Sequence, residues 1–186
     1  MATKWNSNVM FPTDSCFVNR IVGAGFAPSK GKGNPCITVD CELVSPQTYE
    51  VGDETIILAA IKTTNYFATQ VLNDDKTVNE ETTAKCQENV KELWRKLELN
   101  PDEINWDNID VSVLRGKLIL TMMSPDIEPR RKNPTSAQLA EAKKTGRRAE
   151  GDILKNPVTG KALIQYWPKI REIFGIAPSD GVNVPY

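Results

Sequence analysis

Histidine is absent from this chain of 186 residues. Without it, Ser-His-Asp and Cys-His catalysis are excluded, and so is every zinc site that uses imidazole. The four cysteines, Cys16, Cys36, Cys41 and Cys86, are scattered and contain no Cys-x-x-Cys pair. We therefore expect small buried thiols, with neither a metal site nor a disulfide.

Long apolar runs and nucleotide-binding motifs are missing as well. No stretch approaches the ~18 consecutive apolar residues that a membrane helix requires, and residues 1–10 lack the layout of a signal peptide. No P-loop and no GxGxxG motif occurs, so no cofactor is expected. Acid pairs such as Asp74-Asp75 could serve a metal-dependent nuclease, but no phosphate-binding loop accompanies them. The chain is therefore predicted to be cytoplasmic and not an enzyme.

The chain carries 23 basic and 24 acidic residues, but the two signs are segregated along it. Residues 72–110 include eleven acidic and five basic side chains, whereas residues 128–150 include seven basic and three acidic ones. A nearly neutral protein can in this way present an acidic face and a basic face. The alternative is that both segments are ordinary solvated surface.

The periodicity of apolar residues predicts a mainly β fold with five strands. Residues 36–44 alternate between apolar and polar side chains, which is typical of a half-buried strand. Gly23 and Gly25 indicate a bend or a bulge in the first strand, and Pro168 is expected to interrupt the fifth. The predicted strands span residues 16–26, 36–44, 54–70, 111–123 and 162–176. The third allows a kink, and Arg115-Gly116-Lys117 can turn or bulge within the fourth.

A helix is predicted between the third and fourth strands. Thr77-x-x-Glu80 fits a capping box at its start, and Asn100-Pro101 ends it. Trp94 belongs to its apolar face, which favours the core over a site. The face consists of Cys86, Val90, Leu93, Trp94 and Leu97.

The remaining segments divide the chain into an arm, a domain and a tail. We expect an N-terminal arm over residues 1–15, a domain over 16–176 and a tail over 177–186. Pro125 to Pro134 is expected to break regular structure. Within the domain, residues 124–161 form a long basic connection between the last two strands, with a helix start at Thr135-x-x-Gln138.

Several short turns give the chain a likeness to a known family. They are Gly31-Lys32-Gly33-Asn34-Pro35, the Leu97-x-Leu99 helix end, Leu114-Arg115-Gly116-Lys117 and Asn156-Pro157-x-Thr159-Gly160-Lys161. In this layout residues 15–176 resemble bacteriophage-type single-stranded DNA-binding proteins. The resemblance implies an OB-fold β-barrel of five strands, with one helix between strands three and four. It also implies no catalysis and a role in coating single strands during DNA replication or recombination.

Binding single strands without sequence preference requires cations for the phosphates and flat rings for the bases. Lys62 and Tyr66 are four residues apart on one strand and therefore share a face, while Phe67 points to the core. Tyr166 and Trp167 face opposite sides, so only one of them can stack. The residues expected to bind nucleic acid are Arg20, Lys30, Lys32, Lys62, Tyr66, Arg115, Lys117, Arg130, Arg131, Lys132, Lys143, Lys144, Arg147, Arg148, Tyr166, Trp167 and Lys169.

The expected partners are single-stranded DNA, with RNA left open, and proteins of replication or recombination. The protein is expected to be a monomer or a small homo-oligomer and to have no membrane partner. The alternative function is a virion or other structural protein whose basic segment binds an acidic protein instead of nucleic acid.

Overall fold

The computed structural model describes residues 2–29, 33–145 and 149–178, and the fold is mainly β. The described strands form two sheets and no closed barrel. Short 3₁₀ turns cover Pro101–Glu103 and Val111–Leu114. The strands are β1 (Ala2–Lys4), β2 (Ser15–Pro28), β3 (Pro35–Ser45), β4 (Thr48–Val51), β5 (Glu54–Ile57), β6 (Lys62–Ala68), β7 (Leu118–Pro129) and β8 (Ile164–Ile176), and the helices are α1 (Glu80–Lys96) and α2 (Ser136–Thr145).

The chain clusters into two compact units. Unit 1 comprises Met1–Trp5, Pro12–Ser124 and Pro168–Tyr186. Unit 2 comprises Asn6–Phe11 and Pro125–Trp167.

The larger sheet has the strand order β6-β3-β2-β7-β8. β3 alternates as predicted, with Ile37 and Val39 buried and Thr38 and Asp40 on the other side. In β2, Ile21 pairs with Cys41 while Gly23 pairs with Asp40, so Val22 is an extra residue. The bulge that the glycines predicted is therefore present, and it moves Gly23 to the side of the sheet that carries Asp40.

The predicted third strand, residues 54–70, is wrong as a single element. β5 ends at Ile57 and belongs to the smaller sheet, whose order is β1-β5-β4. The chain then turns through Ala60, which has a φ of 63°, and β6 starts at Lys62. The described residues therefore form eight strands, not the five predicted.

The predicted fourth and fifth strands also differ from the structure. Residues 111–114 form a 3₁₀ turn, and β7 begins at Leu118 after Gly116 at a φ of 80°. β7 then continues through Pro125, because pairing with β2 ends at Met123 and the proline interrupts no hydrogen bond to β2. Pro168 does not interrupt β8, which lies at the end of the sheet order, where a missing N–H is tolerated.

Helix α1 is present, but its cap is not the predicted one. Asn79 is the N-cap, and its Oδ1 accepts a hydrogen bond from the backbone N–H of Thr82 at 2.9 Å. Glu80 and Glu81 therefore occupy the first turn, where the helix dipole favours acidic side chains. Trp94 is buried, as the apolar face predicted.

In unit 2, α2 starts at the predicted capping box. The Thr135 N–H donates to Gln138 Oε1 at 2.9 Å, and the Gln138 N–H donates to Thr135 Oγ1 at 3.3 Å. α2 buries none of its residues. Gly151 is buried, and a Cβ there would overlap the backbone carbonyl of Lys132, so this packing requires glycine.

Candidate nucleic-acid interface

The solvent side of β2, β3 and β6 in unit 1 brings together three rows of cross-strand neighbours. The strand register aligns Arg20 with Glu42 and Lys62 in the first row. We name this surface the outer face; it comprises Arg20, Gly23, Gly25, Thr38, Asp40, Glu42, Lys62, Thr64 and Tyr66.

Tyr66 is the aromatic residue of the outer face, and half of its surface is exposed. Phe67 lies on the opposite side of β6 and is half-buried. Along its row, Tyr66 is followed by Thr38 and then by Gly25. A Cβ on Gly25 would touch only the Thr38 hydroxyl, at 3.6 Å. The ring therefore borders a shallow trough of small residues, where a flat base has room to lie.

The cations of the outer face stand beside two carboxylates. Lys62 Nζ lies 3.7 Å from Glu42 Oε2, and the Thr64 hydroxyl donates to Asp40 Oδ1 at 2.6 Å. Arg20 is exposed. Sequence reasoning placed Asp40 and Glu42 on the polar side of a strand, but it could not pair them with these neighbours, because the pairing depends on strand register.

Arg115 and Lys117 lie next to the bulge of β2. The Gly116 N–H donates to Ile21 O at 2.8 Å, and the Ile21 N–H donates to Lys117 O at 3.0 Å. The Arg115 guanidinium reaches the Ala24 carbonyl at 3.5 Å. Arg115 and Lys117 are thus two predicted cations that lie beside β2. The other two, Arg20 and Lys62, lie on the outer face itself.

Tyr66 also borders a groove of about 480 Å³ within unit 1. The groove lies among β6, α1 and residues 169–173 of β8, and Lys169 is the other predicted residue that lines it. Its two acidic residues are paired: Glu92 with Arg95 at 3.2 Å and Glu172 with Lys96 at 3.8 Å. Lys96 and Arg171 also line this groove, and sequence reasoning did not select them.

Unit 2 holds a second set of predicted cations. Arg131 contacts Glu150 at 3.0 Å and donates to Gly151 O at 3.2 Å, so its guanidinium stabilises the connection itself. Lys132 is exposed and lines a cavity of about 450 Å³. Arg130 is half-buried, and its backbone N–H donates to Leu163 O at 2.8 Å. Lys143 and Lys144 are exposed in the last turn of α2.

The remaining predicted residues fall into two groups. Trp167 is exposed, whereas its neighbour Tyr166 is half-buried. Lys30, Lys32, Arg147 and Arg148 lie outside the described residues.

Two cysteines of β3 are buried. Burial, followed by the charge of Asp40, raises the pKa of Cys41 to about 12. Burial, followed by the neighbouring Cys86, raises the pKa of Cys36. Cys16 is exposed rather than buried as predicted, and all four cysteines are free. Cys36 and Cys41 are thus the two that match the expected small buried thiols.

The described residues contain neither a metal-binding cluster nor a membrane-spanning helix. No three histidine, cysteine or acidic side chains among residues 2–29, 33–145 and 149–178 converge as a metal-binding group would. In the same ranges, neither helix has the length and apolar character needed to cross a membrane.

Comparison with protein-family models, with curated proteins and with solved structures found no match.

Proposed function

We propose that this chain binds single-stranded DNA without sequence preference, and without catalysis, to coat and protect single strands during replication or recombination. The observation that carries the proposal is the half-exposed Tyr66 ring beside the trough at Gly25, on a sheet face that has Arg20, Arg115 and Lys117 along its β2 side. A ring and a cationic border are the two components that sequence-independent binding uses.

The order of strands supports an OB-fold-like arrangement. Along the chain, β2, β3 and β6 precede α1, and β7 and β8 follow it. β6 and β8 end the sheet order and line one groove with α1, as expected for a five-stranded barrel that stays partly open. OB-folds bind oligonucleotides on the face of their second and third strands. In this chain those strands are β3 and β6, which carry most of the outer face.

The charges of the outer face suggest where each part of the strand lies. Asp40 and Glu42 repel phosphates from the middle of the face, whereas Arg20, Arg115 and Lys117 attract them along the β2 side. We therefore place a base on Tyr66 and the sugar-phosphate backbone along β2. Stacking between neighbouring base pairs in a duplex covers the faces of the bases, so stacking on Tyr66 selects single strands.

The first experiment measures fluorescence anisotropy of a labelled dT oligomer and of its duplex. Tyr66→Ala should weaken binding of the oligomer by roughly 5- to 150-fold, the loss of ~1–3 kcal/mol of stacking. Tyr66→Phe keeps the ring and should bind like the wild type. Gly25→Leu should also weaken binding by filling the trough, whereas Gly25→Ala, whose Cβ would make an ordinary contact, is its matched control.

The second experiment varies salt. Log affinity falls as log salt rises, and the line becomes less steep by about 0.7 for each phosphate of a single strand that the protein no longer neutralises. Arg20→Glu should flatten this slope, and the exposed Lys155→Glu in unit 2 is the control with the same change of charge. Absence of dT binding at low salt would overturn the proposal and favour the structural-protein alternative. A poly-rU oligomer in the same assay tests RNA.

A further inference from the structure

Helix α2 of unit 2 exposes a face that combines lysines with an apolar side chain. Gln138 and Ala142 are half-buried, and the Gln138 amide donates to Asp152 Oδ1 at 3.1 Å. Leu139, 47% exposed, precedes Lys143 by four residues, so the two lie on one side of the helix, beside the strip that carries Gln138 and Ala142. Lys144, the next residue along the helix, is also exposed.

Nothing in the described part of unit 2 covers this face. A helix of ten residues is too short to be stable alone in water. α2 buries none of its own residues, so burial in this chain does not account for its exposed leucine. A partner that covers Leu139 and neutralises the lysines would supply the missing stabilisation.

Unit 1 carries a surface with the complementary features. Residues 98–110, which we name the acidic connector, contain five acidic residues and no lysine or arginine. Ile104 and Trp106 are half-exposed among these acidic side chains.

The acidic connector is also held in a defined shape by its own hydrogen bonds. Asn100 Oδ1 accepts from the Asp102 N–H at 3.1 Å, and Asn105 Oδ1 accepts from the Asp107 N–H at 3.1 Å. Asp110 Oδ1 accepts from the Ser112 N–H at 2.9 Å. A surface that is already ordered loses little conformational entropy when a helix docks on it.

We infer that α2 of one molecule docks on the acidic connector of a second copy of this chain. Lys143 and Lys144 would meet the carboxylates, and Leu139 would pack on Ile104 and Trp106. The apolar part of both surfaces favours a protein over nucleic acid for this face of α2, since phosphate binding needs no leucine. The two surfaces are different, so the contact is heterologous and can repeat from copy to copy.

A single short helix buries less area than a stable dimer requires. The association is therefore weak and depends on protein concentration and salt. Copies bound next to each other on one DNA strand would meet at a higher effective concentration, a step that rests on the proposed function.

The test is sedimentation velocity of the full chain without nucleic acid, at low and high salt over a range of concentrations. Self-association should appear at low salt and weaken at high salt. Lys143→Glu with Lys144→Glu should weaken it by roughly tenfold or more, since like charges then face each other. Lys155→Glu with Lys161→Glu, at exposed positions of unit 2 outside α2, is the matched control and should have no effect.

A charge exchange identifies the second surface. Asp102→Lys with Asp107→Lys should weaken self-association to a similar degree, whereas an equimolar mixture of this variant with the α2 variant should associate like the wild type. Failure of the mixture to associate, while both variants keep the wild-type circular dichroism spectrum, would overturn the inference. So would a wild type that remains monomeric at low salt and high concentration.

The same variants separate this inference from the proposed function. If Lys143→Glu with Lys144→Glu leaves self-association unchanged but weakens dT binding, α2 contacts nucleic acid and the inference is wrong. If self-association behaves as expected while the wild type binds no dT oligomer, the inference holds and the proposed function fails.

Discussion

Unit 1 encloses an apolar core, whereas unit 2 leaves most of its large apolar side chains in contact with water. Ile37, Ile119 and Leu114 of unit 1 have no exposed surface. In the described part of unit 2, Phe11 is the one large apolar side chain with none, and Val158 is 92% exposed. Unit 1 is thus stabilised mainly by burial, while unit 2 depends more on hydrogen bonds and leaves apolar surface exposed.

The comparison is tested most strongly by removing one isoleucine side chain from each unit. Ile119→Ala leaves a cavity in the core of unit 1 and should lower the free energy of unfolding by ~2–5 kcal/mol. Ile153→Ala, at a residue of unit 2 that is 39% exposed, should lower it by about 0.5 kcal/mol or less. Urea unfolding followed by circular dichroism measures both. Equal losses would show that unit 2 has a core of its own.

Gly151→Ala should disrupt unit 2 and leave unit 1 intact. The new Cβ would overlap the Lys132 carbonyl, so the two segments must separate. The amides of Lys132 and Leu154, which donate to Asp152 O and Arg130 O, should then exchange with solvent much faster. Hydrogen exchange read by mass spectrometry measures this. Equal loss of protection in β2 and β3 would mean that the units unfold together.

Asn79→Ala tests a local hydrogen bond in the unit that burial stabilises. Loss of the cap of α1 should lower the free energy of unfolding by about 1 kcal/mol. Thr82→Ala is the control, because Thr82 contributes its backbone N–H to the cap and the variant keeps it. Urea unfolding of both variants gives the difference. A loss as large as that of Ile119→Ala would contradict the dominance of burial in unit 1.

The smallest expected effect concerns the reactivity of the cysteine thiols. At pH 8, iodoacetamide should modify the exposed Cys16, while Cys41 should react after unfolding, as read by mass spectrometry. Burial raises the pKa of Cys41 from 9.0 to about 12, so the folded state keeps the neutral thiol while the unfolded chain ionises. The contribution of Cys41 to stability is therefore complete below pH 9 and declines as the pH rises toward 12. Fast modification of Cys41 at pH 8 would show that the core of unit 1 opens.

The parts of the fold that follow one period over many residues could be predicted from sequence. The alternation in β3 and the apolar face of α1 each repeat over several residues, so packing and local preference agree. The division at Ala60 could not be predicted, because a positive φ at alanine leaves no sequence signal. The N-cap of α1 was predicted at Thr77 rather than at Asn79, because both residue types are good caps. The β-bridge between Leu72 and Val78 keeps the chain extended up to Asn79, so the helix begins there.

The sequence was enough to predict which residue types the candidate site contains. It was not enough to predict which acidic side chains pair with its cations. The sequence shows that Tyr66 and Lys62 share a strand face, because side chains alternate along a strand. It does not show that Glu42 lies opposite Lys62, or that Glu150 binds Arg131 from a distant part of the chain. Such pairs depend on tertiary register, and they decide which cations remain for a ligand.

The extra residue at Val22 decides which side chains of β2 reach the outer face. Past this point the bulge has exchanged the two sides of the strand, so Gly25 faces the water beside Tyr66 while Ala24 and Phe26 take the other side. A regular strand, in which Val22 rather than Gly23 paired with Asp40, would turn both glycines toward the interior and place Phe26 over the trough. One unpaired residue in β2 therefore sets which side chains stand beside Tyr66.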